Sequence, residues 1–285
     1  MVTYVQAIIL GLLQGVSELF PISSLGHSVI FPSLVGWHIN QKDPLFLPFL
    51  VATHLATSIV LFGFFFNDWK KILTGMGRSL RDREIKSDDI YAKLGWLLVV
   101  GTIPAGILGL LFEEKLRTLF ASPLIAAGAL ALNGTMLFLA EIIRKKRKDV
   151  HHVYDDARVA KISWKQTLAI GASQAIALIP GFSRTGSTLT GGLAIGLSHK
   201  DAVRFSFLLA TPIIAAAAIL KIPDLATADG VNIIGQVLAG AVCSGIAAYF
   251  SVKFLTKYFE TNTLMPFAVY CFLAGSGSLL FLLFR

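Results

Sequence analysis

Charge is what this chain has least of: 15% of its 285 residues are charged and 55% are hydrophobic, with a mean hydropathy of +0.70. A soluble domain of this length needs a larger charged share to cover its surface. The composition therefore excludes an ordinary water-soluble globule and places lipid against much of the chain. Cysteine is nearly absent. Cys243 and Cys271 both sit in apolar runs without CxxC or metal spacing, which excludes a disulfide framework and leaves packing as their role. The N-terminus shows neither the basic stretch nor the small-residue cleavage site of a signal peptide, so it is expected to be retained.

The few charges carry one sign in excess, 25 Lys and Arg against 17 Asp and Glu, for a net of +8. Seven basic residues lie in Lys70–Lys93 and eight in Arg144–Lys165, and Lys200, Arg204, Lys253 and Lys257 add four. Basic clusters between apolar runs are the product of the positive-inside rule, so they mark cytoplasmic loops and not a nucleic-acid partner.

Long hydrophobic runs are what the chain has instead. Crossing a hydrocarbon core of roughly 30 Å takes about 20 helical residues. Six segments qualify: Leu45–Phe66, Leu94–Phe112, Ser122–Ile143, Val203–Leu220, Ile233–Val252 and Leu264–Phe284. With the basic loops inside, the spans alternate without conflict, the first running inward. Nineteen basic residues then face the cytoplasm and five (Lys42, Lys115, Arg117, Lys221 and Arg285) face outside, with Arg184 in neither set. The expected fold class is an all-α polytopic membrane protein.

Two further stretches, Tyr4–Val35 and Trp164–Leu197, start apolar, break at a Pro- and Ser-containing sequence and resume as a second short run. Each half is too short to cross alone, and irregular backbone at membrane depth is tolerated only inside protein or beside a water-filled cavity. Both read as re-entrant helix pairs with their broken tips pointing into the protein. The halves of the chain also echo one another. Gln6, Gly11 and Gln14 recur as Gln166, Gly171 and Gln174, and Pro21 and Ser24 are matched by Pro180 and Ser183. The run from Phe49 to Thr53 returns as Phe207 to Thr211. One re-entrant pair plus three spans is an odd number of crossings, so the second copy is inverted. The expected organisation is one membrane domain over 1–285: a first repeat over about 1–143, a cytoplasmic basic loop over 144–165 and a second repeat over about 166–285.

The first break, Gln14 to Ile30, puts Gln14 and Glu18 four apart on one helix face, followed by Pro21, Ser23, Ser24, Gly26 and His27. A serine before an apolar run is an ordinary N-cap, but a carboxylate and an imidazole in an apolar environment are too costly to be packing alone. The second break, Ile179 to Gly192, carries Arg184 among Ser183, Thr185, Ser187 and Thr188, with Gly186, Gly191 and Gly192 allowing close backbone approach. Arginine offers a planar, always-charged fork for phosphate, and the start of the following helix favours an anion. If the tips meet, one site holds positive groups for a phosphate and an acidic ligand for a divalent cation. That is chemistry suited to hydrolysis of a phosphate ester or anhydride in an apolar pocket.

The paired breaks resemble the signatures of the undecaprenyl-diphosphatase (bacitracin-resistance) family, and the likeness runs over essentially the whole chain. One family motif has Glu or Gln, three residues, Glu, and then Pro-x-Ser-Ser-x-Gly-His, matched by Gln14, Glu18 and Pro21 to His27. The other, Pro-Gly-x-Ser-Arg-Ser-x-x-Thr, is matched from Pro180 to Thr188. Leu25 stands where the family commonly has Thr, which removes a hydroxyl, and Thr185 stands where it has Ser, which keeps one. The resemblance implies removal of the terminal phosphate of undecaprenyl diphosphate to recycle a cell-wall lipid carrier, dependence on a divalent cation such as Mg²⁺ or Ca²⁺, and a bacterial inner-membrane location. It also implies an active site open to the outer, periplasmic face.

On that reading Arg184 clamps the diphosphate, Glu18 with Gln14 holds the cation, and Ser24 is the nucleophile with His27 as general acid or base. His27 as nucleophile and direct attack by a metal-held water are the alternatives. Ser23, Gly26, Ser183, Thr185 and Thr188 join Arg184 around the phosphate oxygens. His54, inside the first span, reads as a hydrogen-bonded packing residue, and Asn133, Gln174 and Glu141 as interhelical or interfacial groups. Glu113 and Glu114 are expected in an outer loop, and His151 and His152 in a solvated one with Asp155 and Asp156. Gly235, Gly240 and Gly245 could support close helix packing within the chain or in a homodimer. The rival function is a polyprenyl-phosphate flippase or secondary transporter, which the inverted repeat suits. The serine, imidazole and carboxylate of the first break favour the enzyme, since transport needs no nucleophile.

Overall fold

A capping box opens the chain. Thr3 Oγ1 accepts from the Gln6 backbone N–H at 3.3 Å, and Gln6 Oε1 accepts from Thr3 N at 2.9 Å. Helix α1 (Tyr4–Ser17) follows, and after a turn at Pro21 comes α2 (Ser24–Leu34). The computed structural model describes residues 2–41, 43–112, 122–146, 156–226 and 232–285. Lys42, Glu113, Glu114, Lys115, Arg117, His151, His152 and Asp155 lie outside them, as does the side chain of Asp156.

Beyond the first pair run α3 (Phe46–Phe64), α4 (Phe66–Asp82), α5 (Ile90–Leu111) and α6 (Pro123–Lys145). A short α7 (Asp156–Ala160) leads to the second broken stretch. There α8 (Trp164–Ala175) ends in a 3₁₀ turn, Ile176–Leu178, and α9 (Arg184–Ile195) begins after Pro180 and Gly181. The chain closes with α10 (His199–Lys221), α11 (Ile234–Tyr258) and α12 (Met265–Leu283). Among the described residues six helices are long and apolar enough to cross a membrane: α3, α5, α6, α10 with its 3₁₀ extension to Ala226, α11 and α12. They are the six segments expected from hydropathy, and the chain is a multi-pass membrane protein. Helix α1, with 14 residues, spans only about 21 Å and cannot cross.

Helix ends differ from the hydropathy limits where polar residues extend a helix into the headgroup region. Asp89 Oδ1 accepts from Ala92 N at 3.0 Å and starts α5 at Ile90. Helix α11 continues through Lys253 and Lys257 to Tyr258. The basic segment after the first span is in large part the helix α4, not a loop. It buries Trp69, Ile72, Gly75 and Ser79 at helical spacing and turns its lysines and arginines outward. Charge content hid that stripe.

Helix α6 packs along α12, α1 along α11, α5 along α8, and α3 against both α10 and α11. The glycine stripe of α11 is used inside the chain. A Cβ on Gly11 would collide with the Gly240 backbone, and Gly235 lies against the Tyr4 ring. It therefore supplies no argument for a homodimer. Cys271 is buried beside Asn133, and both cysteines are free.

Candidate active site

The two broken tips meet, and small polar groups fasten them together. Ser23 caps α2 by accepting from Gly26 N at 3.1 Å, and Ser183 caps α9 by accepting from Gly186 N at 3.0 Å. Ser23 Oγ also accepts from Gly181 N at 3.2 Å, and Ser183 Oγ donates to Phe20 O at 3.4 Å. Gly181 has φ +106 and lies so close to α6 that a Cβ would strike Ala126 O. Its place in the second motif is thus steric. Asn133 of α6 clamps both tips. Its Nδ2 donates to Pro21 O at 3.0 Å, and its Oδ1 accepts from Ser183 N at 3.0 Å. Glu141 is interhelical as expected, accepting from Leu264 N and pairing with His199, each at 2.6 Å.

Glu18 is the C-cap of α1, 6% exposed, and every group around it comes from a different element. Arg184, the first residue of α9, donates to Glu18 Oε1 from Nε at 3.2 Å and from Nη2 at 2.8 Å. Ser24, the first residue of α2, donates to Glu18 Oε2. His54, in the middle of α3, places Nε2 3.1 Å from Glu18 Oε2 and 3.3 Å from Ser24 Oγ. His54 Nδ1 is held by Leu50 O at 2.7 Å, so it carries a hydrogen and points Nε2 into the site. Just before Ser24, Ser23 has φ 72 and ψ 100, a backbone conformation costly for a residue with a Cβ.

This cluster forms the polar end of a cavity of about 340 Å³. Glu18, Ser23, Ser24, His54, Gln174, Ser183 and Arg184 line it, and most of the remainder is apolar surface of α3, α5 and α10, joined by Leu25, Leu178 and Phe182. The cavity continues past Ile213 and Ala217 to Leu110, Leu220 and Lys221 at the helix ends opposite the basic loops. Buried Arg184 Nη1 has no hydrogen-bond partner among the described residues, so the guanidinium keeps a donor edge unspent after binding Glu18. An apolar channel ending in an arginine edge, an imidazole and a hydroxyl suits an anionic headgroup on a long hydrocarbon chain.

The structure brings Glu18, Ser24, Ser23, Ser183 and Arg184 together on one cavity wall, and the imidazole that joins them there is not His27. His27 does not line the cavity: its Nδ1 is bound to Ser23 O at 2.6 Å and its Nε2 to the Tyr270 hydroxyl at 2.8 Å, with the two rings stacked. One helical turn beyond the tip, it faces α12. The imidazole on the cavity wall is His54, 30 residues beyond Ser24 in sequence and brought beside it by α3. Gly26, Thr185 and Thr188 also lie off the cavity. Gly26 packs on Gly181, Thr185 donates to Glu18 O at 2.9 Å, and Thr188 bonds to Arg184 O, Thr185 O and Ser206. They build the tips. Gln174, expected as an interhelical group, lines the cavity at 2% exposure, and neither amide atom has a partner among the described residues. His54 and Gln174 were both legible as polar groups at membrane depth, the criterion that singles out Arg184.

For a divalent cation, Glu18 and Gln14 offer a carboxylate and an amide oxygen, with His54 Nε2 3.1 Å from Glu18 Oε2. Gln14 is fully buried, its Nε2 bonded to Thr57 Oγ1 at 3.4 Å and its Oε1 unpartnered among the described residues, one helical turn before Glu18. No group of three or more His, Cys, Asp or Glu stands ready to hold a metal among the described residues. One carboxylate and one amide oxygen fit a hard cation that takes its other ligands from substrate phosphate and water.

A family model described as bacitracin resistance protein BacA matches residues 7–277. A protein of Mycolicibacterium paratuberculosis named undecaprenyl-diphosphatase is 46% identical over 302 residues, covering 99% of this chain and 98% of its own length. Undecaprenyl-diphosphatase 2 of Chromobacterium violaceum is 44% identical over 281 residues, covering 97% and 98%. Undecaprenyl-diphosphatase 1 of Burkholderia pseudomallei is 44% identical over 269 residues, covering 94% and 93%. With a match over nearly its whole length, the chain belongs to the BacA family of bacitracin resistance proteins.

Proposed function

We infer that the protein is an undecaprenyl-diphosphate phosphatase, hydrolysing undecaprenyl diphosphate to undecaprenyl phosphate and inorganic phosphate. The observation that carries this is the meeting of Glu18, Ser24, His54 and Arg184 at the polar end of an apolar cavity. The hydrocarbon chain lies along α3, α5 and α10, and the diphosphate meets the free edge of Arg184. Ser24 Oγ attacks the terminal phosphorus while Glu18 Oε2, already its hydrogen-bond acceptor, takes its proton. The bond to the bridging oxygen breaks and undecaprenyl phosphate departs as an anion. Arg184 and a protonated His54 hold the charge that develops. Water then replaces Ser24 on phosphorus. One water proton leaves with inorganic phosphate, the other passes to solvent, and Glu18 returns its proton to Ser24.

Gln14 and Glu18 would hold the Mg²⁺ or Ca²⁺, which supplies neutralising charge to the phosphate oxygens. The cavity's extension to Lys221, away from the basic loops, supports an opening on the periplasmic face of a bacterial inner membrane.

An inverted repeat accounts for pairings that recur with partners exchanged. Helices α1 and α8 each open with a capping box, Thr3 with Gln6 and Ser163 with Gln166. A Cβ on Gly11 would collide with Gly240 of α11, and one on Gly171 with Gly101 of α5. Ser23 and Ser183 each cap the second helix of a broken pair, which supports matching Ser183 with Ser23 in the repeat.

The test is phosphate release from undecaprenyl diphosphate by purified protein in detergent, for wild type, Glu18→Ala and Arg184→Ala, each with Mg²⁺, Ca²⁺ or EDTA. Metal-dependent turnover, lost in both folded variants, is expected. A folded wild type that releases no phosphate with any cation would overturn the reading.

A further inference from the structure

A second cavity, of about 460 Å³, lies at the opposite end of the molecule, where α3 ends, α10 begins and α11 ends. Its charged lining is Lys200, Arg204, Lys257 and Glu260. Lys200 Nζ pairs with Glu260 at 2.9 Å, and Arg204 Nη2 pairs with Asp68 of α4 at 2.6 Å. Lys257 has no acidic partner among the described residues and lines the same cavity. Three cations therefore face one lining carboxylate, and two of the three are fixed in place by their pairs. The floor is aromatic: Phe65 and Phe259 are buried there, and the Arg204 guanidinium stands 5.8 Å above the Phe65 ring.

The surroundings say what kind of anion fits. On the adjoining turns of α3 and α11, Phe62, Phe250 and Phe254 are exposed, so apolar surface lies within a few helical turns of the cationic pocket. A soluble anion has no use for that surface. A basic pocket between helices at the membrane boundary, with apolar surface beneath it, matches the headgroup and acyl chains of an anionic lipid. By the positive-inside rule this is the cytoplasmic end, where anionic headgroups are the natural counter-charge.

We propose that this pocket binds the phosphate headgroup of an anionic glycerophospholipid in the inner leaflet, with Lys200 and Lys257 on the phosphate and Arg204 holding the aromatic floor. The site is separate from the catalytic cavity, and neither lysine belongs to the phosphatase machinery.

The experiment is native mass spectrometry of the full chain in detergent, titrated with dioleoyl-phosphatidylglycerol or dioleoyl-phosphatidylcholine. Wild type is expected to retain phosphatidylglycerol at concentrations where phosphatidylcholine is lost. Lys200→Gln/Lys257→Gln is expected to hold it about tenfold more weakly, from the loss of two headgroup cations. Glu260→Gln, which removes the competing carboxylate, is expected to hold it more tightly. Opposite signs from these variants separate recognition of a charge from general damage to the fold. Equal affinity for the two lipids, or weaker binding in both variants, overturns the proposal. So does displacement of the lipid by millimolar inorganic phosphate, which would make the ligand a free anion.

Discussion

Arg184 reaches back from the second tip to Glu18 of the first, with Nε and Nη2 3.2 and 2.8 Å from a single carboxylate oxygen, Oε1. The other oxygen is left to Ser24 and His54. One buried carboxylate thus orients a guanidinium, a hydroxyl and an imidazole that come from three different helices. Removing it releases all three, whereas removing any one of them leaves the other contacts in place.

Glu18→Ala should therefore be the most damaging single change in the site. An Arg184 left unpaired at the largely buried end of the cavity costs about 3–5 kcal/mol. A double-mutant cycle with Arg184→Ala, read as melting temperature in detergent, should show the double variant more stable than the two single losses would sum to. Additive losses would mean that the pair carries no coupling.

His54→Ala should lower kcat by about 10²- to 10³-fold, the size of effect for a group that stabilises charge in the transition state. His27→Phe should keep most of the activity, because the His27 ring is spent on Ser23 O and Tyr270 at the α2–α12 contact. Steady-state phosphate release by the two variants checks the assignment. A dead His27→Phe beside an active His54→Ala would return the catalytic imidazole to the motif.

The spans, the two breaks and the residues Glu18, Ser24 and Arg184 were legible because burial at membrane depth leaves a sharp signature in sequence. Long apolar runs stand out, and so do the few polar groups that interrupt them. What sequence concealed was direction. His27 lies three residues after Ser24, but α2 turns it to the face that meets Tyr270, while His54 arrives from α3 on the side of Glu18. Thr185 and Thr188 look like phosphate ligands in the motif, yet their hydroxyls tie α9 to Glu18 O and to Ser206. Helix α4 was hidden for another reason: its buried stripe of Trp69, Ile72 and Gly75 is diluted by the lysines and arginines of its outer face.

Asn133 should matter for assembly and not for chemistry. Asn133→Leu strips Ser183 N of its partner, at about 1–3 kcal/mol for the unpaired group, and leaves Pro21 O only the weak Cys271 thiol donor. The melting temperature should fall, while KM and kcat at low temperature change little as long as the tips stay docked. A large drop in kcat with an unchanged melting temperature would instead put Asn133 on the reaction path.

Gln174 offers a sharper test of how the substrate is held. Its side chain is 2% exposed on the cavity wall, and neither amide atom has a partner among the described residues, an arrangement that costs stability unless a ligand completes it. Gln174→Leu keeps similar bulk, removes the unsatisfied polar atoms and adds apolar wall. The variant should melt at the same temperature as wild type or higher, and its KM for undecaprenyl diphosphate should rise by roughly tenfold, the worth of one hydrogen bond to a charged group. A lower melting temperature with unchanged KM would show the amide serving the packing of α8, and the diphosphate would then rest on Arg184 and the tip serines alone.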